Sequence, residues 1–396
     1  MIKGKNIICF GSEKWEYPGL QQTIMRLLSN HNRILFVNAL GSRRISVKIS
    51  QFGFYLKRAI RIFQKDTIQG GEGLKNVSVC NPWIIPLVYN SAVMELNKAI
   101  MHVQFSRLLS NLEFSNYILW IGTPIAAPFL DIFNPSVLIY NPVDRYSAFS
   151  FVDSEKIINY ERNIASRADA IICTSDAIKK DLEPYNSNCF TVTHGVDVNH
   201  FHSAVHNSSV PEDMKNIPGP IIGYFGGLSE RVNWNLLHDV AIRYADASLV
   251  LIGKKSPGIN GMLQLKRQSN VHFLGYKDYK VLPNYLKQFT VCLIPYIIND
   301  LLLAVDPVKL REYLAVGKPV VSVDLPEVRK LQDVVYIGKN HKDFVEKTGQ
   351  AIKENNLLLT EKRIRTAWQS DWGVKIEEIK SIVYDTIERR KCSNNN

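Results

Sequence analysis

The sequence predicts an α/β protein built of two doubly wound, parallel-sheet domains in series. Three observations lead there. Short continuous Val/Ile-rich runs alternate with helix-period stretches along nearly all of the 396 residues. That is the pattern of parallel strands covered on both faces. A polar stretch with Asn207, Pro211, Pro218, Gly219 and Pro220 interrupts the alternation, which then starts again. Apolar residues make up 46% of the chain and charged residues 21%, enough for more than one sizeable core.

In order, the first domain is expected over 1–200, with strands at 6–10, 33–37, 117–121, 136–140, 170–174 and 190–193. A helix-like period (Leu20, Ile24, Leu27, Leu28) separates the first two. Residues 201–219 read as a linker. The second domain, 220–373, carries runs at 220–225, 248–252, 271–274, 291–294, 320–323 and 334–337. An amphipathic helix over 374–390 and a frayed Asn tail close the chain, and this last segment is expected to cross back to the first domain. Two such sheets suggest a cleft at the carboxyl ends of their strands, where α/β sheets bind ligands.

Composition narrows the function. A net charge of +11 points to an anionic partner: nucleic acid, a membrane surface or a phosphorylated small molecule. No signal peptide and no transmembrane run is predicted. The six cysteines form no CxxC pair and no metal-ligand spacing with His. Cys9, Cys173 and Cys292 lie in apolar runs as small core residues, which fits a reducing cytoplasm. No strand is followed by GxGxxG, so a dehydrogenase is disfavoured.

The most informative stretch is Asp306-Pro-Val-Lys-Leu-Arg-Glu-Tyr-Leu-Ala-Val-Gly-Lys-Pro-Val-Val321. Asp306 is expected as the N-cap of a helix, with Pro307 and Val308 at its start and Gly317 and Pro319 past its end. A helix N-terminus suits a phosphate. Lys309 and Glu312 share a face, one a cation for phosphate, the other an acceptor for a ribose diol. Cation, helix terminus and carboxylate together match a nucleoside diphosphate. The loop Gly226-Gly-Leu-Ser-Glu-Arg-Val-Asn233 follows the first strand of the second domain, and Gly226 and Gly227 permit close backbone approach to a diphosphate.

These residues resemble the donor site of GT-B glycosyltransferases of the group 1 (family 4-like) type. The resemblance extends to Ala168-Asp-Ala-Ile-Ile-Cys-Thr-Ser-Asp-Ala-Ile178, to Thr193-His-Gly-Val-Asp-Val-Asn-His-Phe201 and to Asn270-Val-His-Phe-Leu-Gly-Tyr276. It implies two Rossmann-like domains facing each other across a cleft, a nucleotide sugar held by the second and an acceptor held by the first. No metal and no other cofactor is implied. The donor-binding residues so implied are Gly226, Gly227, Ser229, Arg231, Tyr276, Asp306, Val308, Lys309 and Glu312. Two positions depart from the family's pattern. Ala304 stands where a carboxylate is usual, eight residues before Glu312. Gly227 stands where the loop usually has Arg, with Arg231 its shifted replacement and Lys309 a further source of charge. The Pro-x-Lys arrangement is similar to that of membrane-associated polysaccharide glycosyltransferases.

In the first domain, Trp15, Tyr17 and Gly19 lie in the loop after the first strand, where the two aromatics could stack on a sugar. Tyr140-Asn-Pro-Val-Asp-Arg-Tyr-Ser-Ala-Phe149 follows another strand. Asp144 is the candidate base for the acceptor hydroxyl, and Arg145 lies on the acceptor side. His102 and His194 are weaker candidates. Residues 43–65 hold Arg43, Arg44, Lys48, Lys57, Arg58, Arg61 and Lys65, no acidic residue, and interleaved apolar side chains. A basic amphipathic stretch reads as a membrane-surface element, each cation worth about 1 kcal/mol at an anionic leaflet. No nucleic-acid-binding motif accompanies it, so nucleic acid is not an expected partner.

The expectation is therefore a glycosyltransferase moving a sugar, from a UDP-sugar by family frequency, to a polyprenyl-linked or growing glycan. It would work at the cytoplasmic face of the cell membrane. Two alternatives are a GT-B-fold sugar-nucleotide epimerase and a non-catalytic glycan-binding partner.

Overall fold

The computed structural model describes residues 2–17, 19–40, 68–71, 74–85, 87–206, 209–257, 259 and 261–394. It divides into two units, residues 1–192 with 376–396, and residues 193–375. The seven basic residues proposed for a membrane surface, Arg43 to Lys65, lie outside the described residues.

The first unit holds an eight-stranded sheet. Its strands are β1 (Asn6–Phe10), β2 (Arg33–Val37), β3 (Ile68–Gly71), β4 (Leu74–Cys80), β5 (Ile118–Ile121), β6 (Val137–Tyr140), β7 (Ala170–Cys173) and β8 (Cys189–Thr191). They run in the order β3-β4-β2-β1-β5-β6-β7-β8. Neighbours are parallel except β3 and β4. β5, β6 and β7 are buried at every residue, which is why their sequences are unbroken apolar runs. β4 was not anticipated. Its Leu-Lys-Asn-Val-Ser-Val-Cys sequence mixes exposed Lys75 and Asn76 with buried Val77, Val79 and Cys80. That alternation belongs to a strand covered on one face only.

The second unit holds six parallel strands: β9 (Ile221–Phe225), β10 (Ser248–Ile252), β11 (Val271–Gly275), β12 (Val291–Ile294), β13 (Val320–Val323) and β14 (Tyr336–Gly338). Their order is β11-β10-β9-β12-β13-β14. The chain enters at β9, winds outward to β11, then returns to the other side of β9 at β12. β1 and β5 are the corresponding pair in the first sheet. Such reversals open a crevice beyond the strands' carboxyl ends, so each unit has one place where its loops can hold a ligand.

The boundary falls earlier than the residue 200 expected from sequence, and residues 201–219 are not a free linker. Val196, Val198, Phe201 and Met214 are buried in the core of the second unit. The Val196 N–H donates to the Ser370 carbonyl at 2.9 Å and Trp372 returns a bond to Val196 at 3.1 Å. Asp213 accepts from Lys277 at 2.6 Å and from Tyr285 at 2.9 Å. Within 201–219 the polar composition hid two apolar anchors, Phe201 and Met214. The last helix, Trp372–Asn394, belongs to the first unit from Ile376 onward, where Arg389 donates to Asn188 at 2.6 Å and Arg390 meets Asp169 at 3.2 Å. Among the described residues no helix is long and apolar enough to cross a membrane. Cys9, Cys173 and Cys292 are fully buried, as expected of core thiols.

Candidate functional site

In the second unit the loop after β9 and the helix Val308–Ala315 meet at the crevice predicted by topology. Gly226 takes a backbone φ of +139°, a region side chains disfavour, and its N–H donates to the Ile252 carbonyl at 2.9 Å. A Cβ on Gly226 would lie 2.7 Å from the Lys309 Nζ. Loop glycine and helix lysine are therefore in contact. The Lys309 ammonium donates to the Tyr296 hydroxyl at 2.6 Å and to the Tyr224 hydroxyl at 3.2 Å. It also lies 4.5 Å from the Tyr224 ring centre and 4.7 Å from that of Tyr296. Burial works against its charge, but the two phenols more than offset this, and its pKa lies above the ordinary lysine value. Burial pushes the Tyr224 phenol up, while Lys309 and Arg231 pull it back, so Arg231 shares this field.

Glu312 lies one turn along the same helix and is buried. Burial raises its carboxyl to about 7, with Lys309 opposing the shift. A proton held there is one the unfolded chain releases from about pH 4.5 upward. Stability therefore falls as pH rises through that window to about 7, then levels off. Glu312→Gln should flatten this part: between pH 5 and 8 its melting temperature should fall less than the wild type's. Parallel curves would show that Glu312 titrates normally.

Asp306 does not cap the helix. Pro307 occupies the N-cap position, with no side-chain cap. The buried Asp306 carboxylate turns instead to Arg311 at 2.6 Å and to the His194 N–H at 2.8 Å. A buried guanidinium is a stronger partner than a free helix amide, and it takes the acid. His194, a weaker candidate from the sequence, is buried, and its backbone is held by this bond. His102 is exposed on the helix Ser91–Asn111.

The remaining expected donor residues are spread out. Val308 opens the helix and is partly exposed. Gly227 has open space around its α-carbon. The Ser229 hydroxyl accepts from the Arg231 N–H at 3.3 Å, shaping the loop. Tyr276 is 69% exposed just after β11, an edge strand separated from β9 by β10. Tyr279, three residues further on, lies within the field of Glu312. Burial raises its phenol, and the charges of Glu312 and Asp197 raise it further. Tyr279 stacks on His200 at 4.7 Å. Tyr224, Tyr279 and Tyr296 were not expected from sequence. Tyr224 is indistinguishable there from a core residue of its strand.

In the first unit, the expectation that Trp15 stacks on a sugar is corrected. Trp15 is 2% exposed, meets the Phe36 ring edge-on at 5.0 Å and carries the Arg26 guanidinium over its ring at 4.5 Å. The ring is enclosed because the loop folds back on its own sheet. Tyr17 remains exposed, and Gly19 is the N-cap residue of the helix Leu20–Leu28.

The loop carrying Asp144 and Arg145 is pinned at both sides. Asn141 is buried and donates to the Ile172 carbonyl at 2.7 Å. The Thr174 hydroxyl donates to the Val143 carbonyl at 2.8 Å, and the Tyr146 hydroxyl to the Gly122 carbonyl at 2.7 Å. Burial, then the charge of Asp144, raises the Tyr146 phenol, which places Asp144 near it. Arg145 binds Asp181 through Nε at 2.8 Å and Nη2 at 2.7 Å. Glu161, also not foreseen, accepts from the Tyr140 hydroxyl at 3.0 Å, and burial raises it to about 7. Among the described residues no cluster of His, Cys, Asp or Glu could hold a metal ion.

Residues 219–354 match the family model for glycosyl transferases group 1. A Bacillus subtilis (strain 168) protein described as a teichuronic acid biosynthesis glycosyltransferase, TuaH, is 28% identical over 231 residues, 55% of this chain. The match spans 57% of that relative's length. Sucrose-phosphate synthase from Thermosynechococcus elongatus superposes with a TM-score of 0.70 at 12% identity, covering 97% of this chain and 100% of that one. Anabaena Alr3699/HepE in complex with UDP and glucose gives 0.69 at 14%, covering 96% and 100%. A trehalose 6-phosphate synthase from Burkholderia multivorans gives 0.69 at 11%, covering 99% and 98%. At these identities the structural likeness is one of fold: two Rossmann-like domains of the GT-B type. The expected likeness to group 1 glycosyltransferases is thus met by the family model over residues 219–354 and by the TuaH relative.

Proposed function

We propose that the chain is a glycosyltransferase whose second unit binds a nucleoside diphosphate sugar, with UDP the favoured nucleotide. The carrying observation is the Lys309 ammonium set against Gly226 at the carboxyl end of β9, with the Glu312 carboxyl one turn along the same helix. Lys309 then meets the diphosphate, stabilising the charge that builds on it as the glycosidic bond breaks. Glu312 accepts hydrogen bonds from the ribose hydroxyls. The acceptor is a glycan hydroxyl, lipid-linked or on a growing chain, taken by the first unit, with Asp144 as its base. TuaH, named for teichuronic acid biosynthesis, and HepE, solved with UDP and glucose, support a surface-polysaccharide setting and a UDP-sugar. The same reading assigns residues 43–65 to the anionic inner face of the cell membrane, with the protein peripheral there, and assigns no metal to the reaction.

Calorimetric titration tests the donor site. Wild type should bind UDP, and Lys309→Ala should weaken that binding about 10- to 100-fold, the usual loss for a charge-assisted hydrogen bond. A wild-type chain that binds no nucleoside diphosphate would sink the proposal. A second reading, a non-catalytic glycan-binding subunit, draws on Ala304. That position is fully buried and bears no carboxylate, and the nearby Asp306 is committed to Arg311. Nucleotide binding with no sugar transfer to membrane lipid extract would favour it.

A further inference from the structure

We infer that Tyr224 and Tyr296 are positioning residues that clamp Lys309, so that one lysine held in place serves the phosphate contact. The inference rests on the donor-site reading above. Tyr224 comes from β9, and Tyr296 follows β12, the two strands flanking the reversal of the sheet. Both rings are buried, at 1% and 8% exposure. A buried phenol needs a polar partner. The Tyr224 hydroxyl donates to the Gly227 carbonyl at 3.2 Å and accepts from Lys309 at 3.2 Å. The Tyr296 hydroxyl accepts from Lys309 at 2.6 Å. A chain of contacts thus runs from the glycine loop through Tyr224 and Lys309 to Tyr296.

Three consequences follow from the chemistry of lysine. Its ammonium has three donors, and the two phenols take two, so one remains for an anion's oxygen at Gly226. Its long side chain would otherwise lose rotamer freedom on binding, and the clamp removes that cost beforehand. The two rings keep the charge favourable without a competing carboxylate ion pair, which a phosphate would have to break. The arrangement compensates for Gly227, a glycine where a cation would be expected.

Tyr224→Phe and Tyr296→Phe keep the rings and remove the hydroxyls. Titrations with UDP and GDP, each beside its own nucleoside, separate positioning from general damage. Each variant should bind the diphosphate about three- to tenfold more weakly while nucleoside affinity stays level. In a Lys309→Ala background both substitutions should have no further effect on diphosphate binding, since the clamp then has nothing to hold. Diphosphate affinity within twofold of wild type, or an equal loss for nucleoside and diphosphate, overturns the inference while leaving the donor site standing. A wild-type protein that binds no nucleotide overturns both. If Tyr224→Phe folds poorly, Tyr296→Phe alone decides, because its hydroxyl makes the shorter bond.

Discussion

Asp144→Asn is expected to slow sugar transfer about a thousandfold, the middle of the range for losing a positioned general base, with nucleotide affinity unchanged. If transfer inverts the anomeric carbon, the acceptor oxygen attacks as its proton leaves for a carboxylate. The bond to the diphosphate then breaks on the opposite face, and its electron pair stays with the diphosphate. Asparagine keeps the shape of Asp144 and cannot take that proton. The loop is built to hold such a group still. It leaves β6 at Tyr140 and is tied to the end of β7 through Thr174 and to the residue after β5 through Tyr146. Asn141, buried at its start, accepts from Trp120 at 3.3 Å and donates to Ile172. With the backbone anchored to three strands, the substitution should leave melting temperature and UDP affinity near wild type, and only the rate should respond. Single-turnover transfer from a UDP-sugar to lipid extract measures it. A rate within a few-fold of wild type would remove Asp144 from the role of base.

How much of this was legible in the sequence depended on whether a residue's partner was local. β1, β2, β10, β12 and β13 lie where their apolar runs put them, because a strand covered on both faces is predominantly apolar. Lys309 and Glu312 were readable because helix spacing alone places them on one face. Asp306 was misread because the cap rule considers only the next few amides. The partner that captures it, Arg311, also lies nearby, but its burial is decided by the whole unit. Trp15 was misread for a related reason: its place at a strand end is local, while Phe36 and Arg26 come from the next elements. Tyr224 and Tyr296 lie far apart in sequence and meet Lys309 only because β9 and β12 are neighbours in the sheet. No spacing rule connects them.

The largest stability effect is expected away from the candidate site, at Glu354. Arg363, on the helix Leu357–Trp368, has no exposed surface. Its Nε donates to the Val334 carbonyl at 2.9 Å and its Nη2 to the Glu354 carboxylate at 2.8 Å. Tyr336, on β14, donates to the same carboxylate at 2.9 Å. One acid thus serves the last helical hairpin of the second unit and the edge of its sheet. Glu354→Ala would leave a buried guanidinium without its counter-ion, which typically costs about 3–5 kcal/mol. Urea unfolding followed by a probe in the second unit should show that loss as a lower midpoint at unchanged slope. A cost below about 1 kcal/mol would mean that water or another acid reaches Arg363. The double variant Glu354→Leu, Arg363→Met separates two origins of the cost. If lost attraction dominates, the double variant should be no more stable than Glu354→Ala. If stranded charge dominates, apolar side chains of similar volume should recover most of the stability, because the desolvated guanidinium has gone with its partner. The second outcome is expected, because Arg363 is enclosed by protein on every side and its charge has no route to solvent.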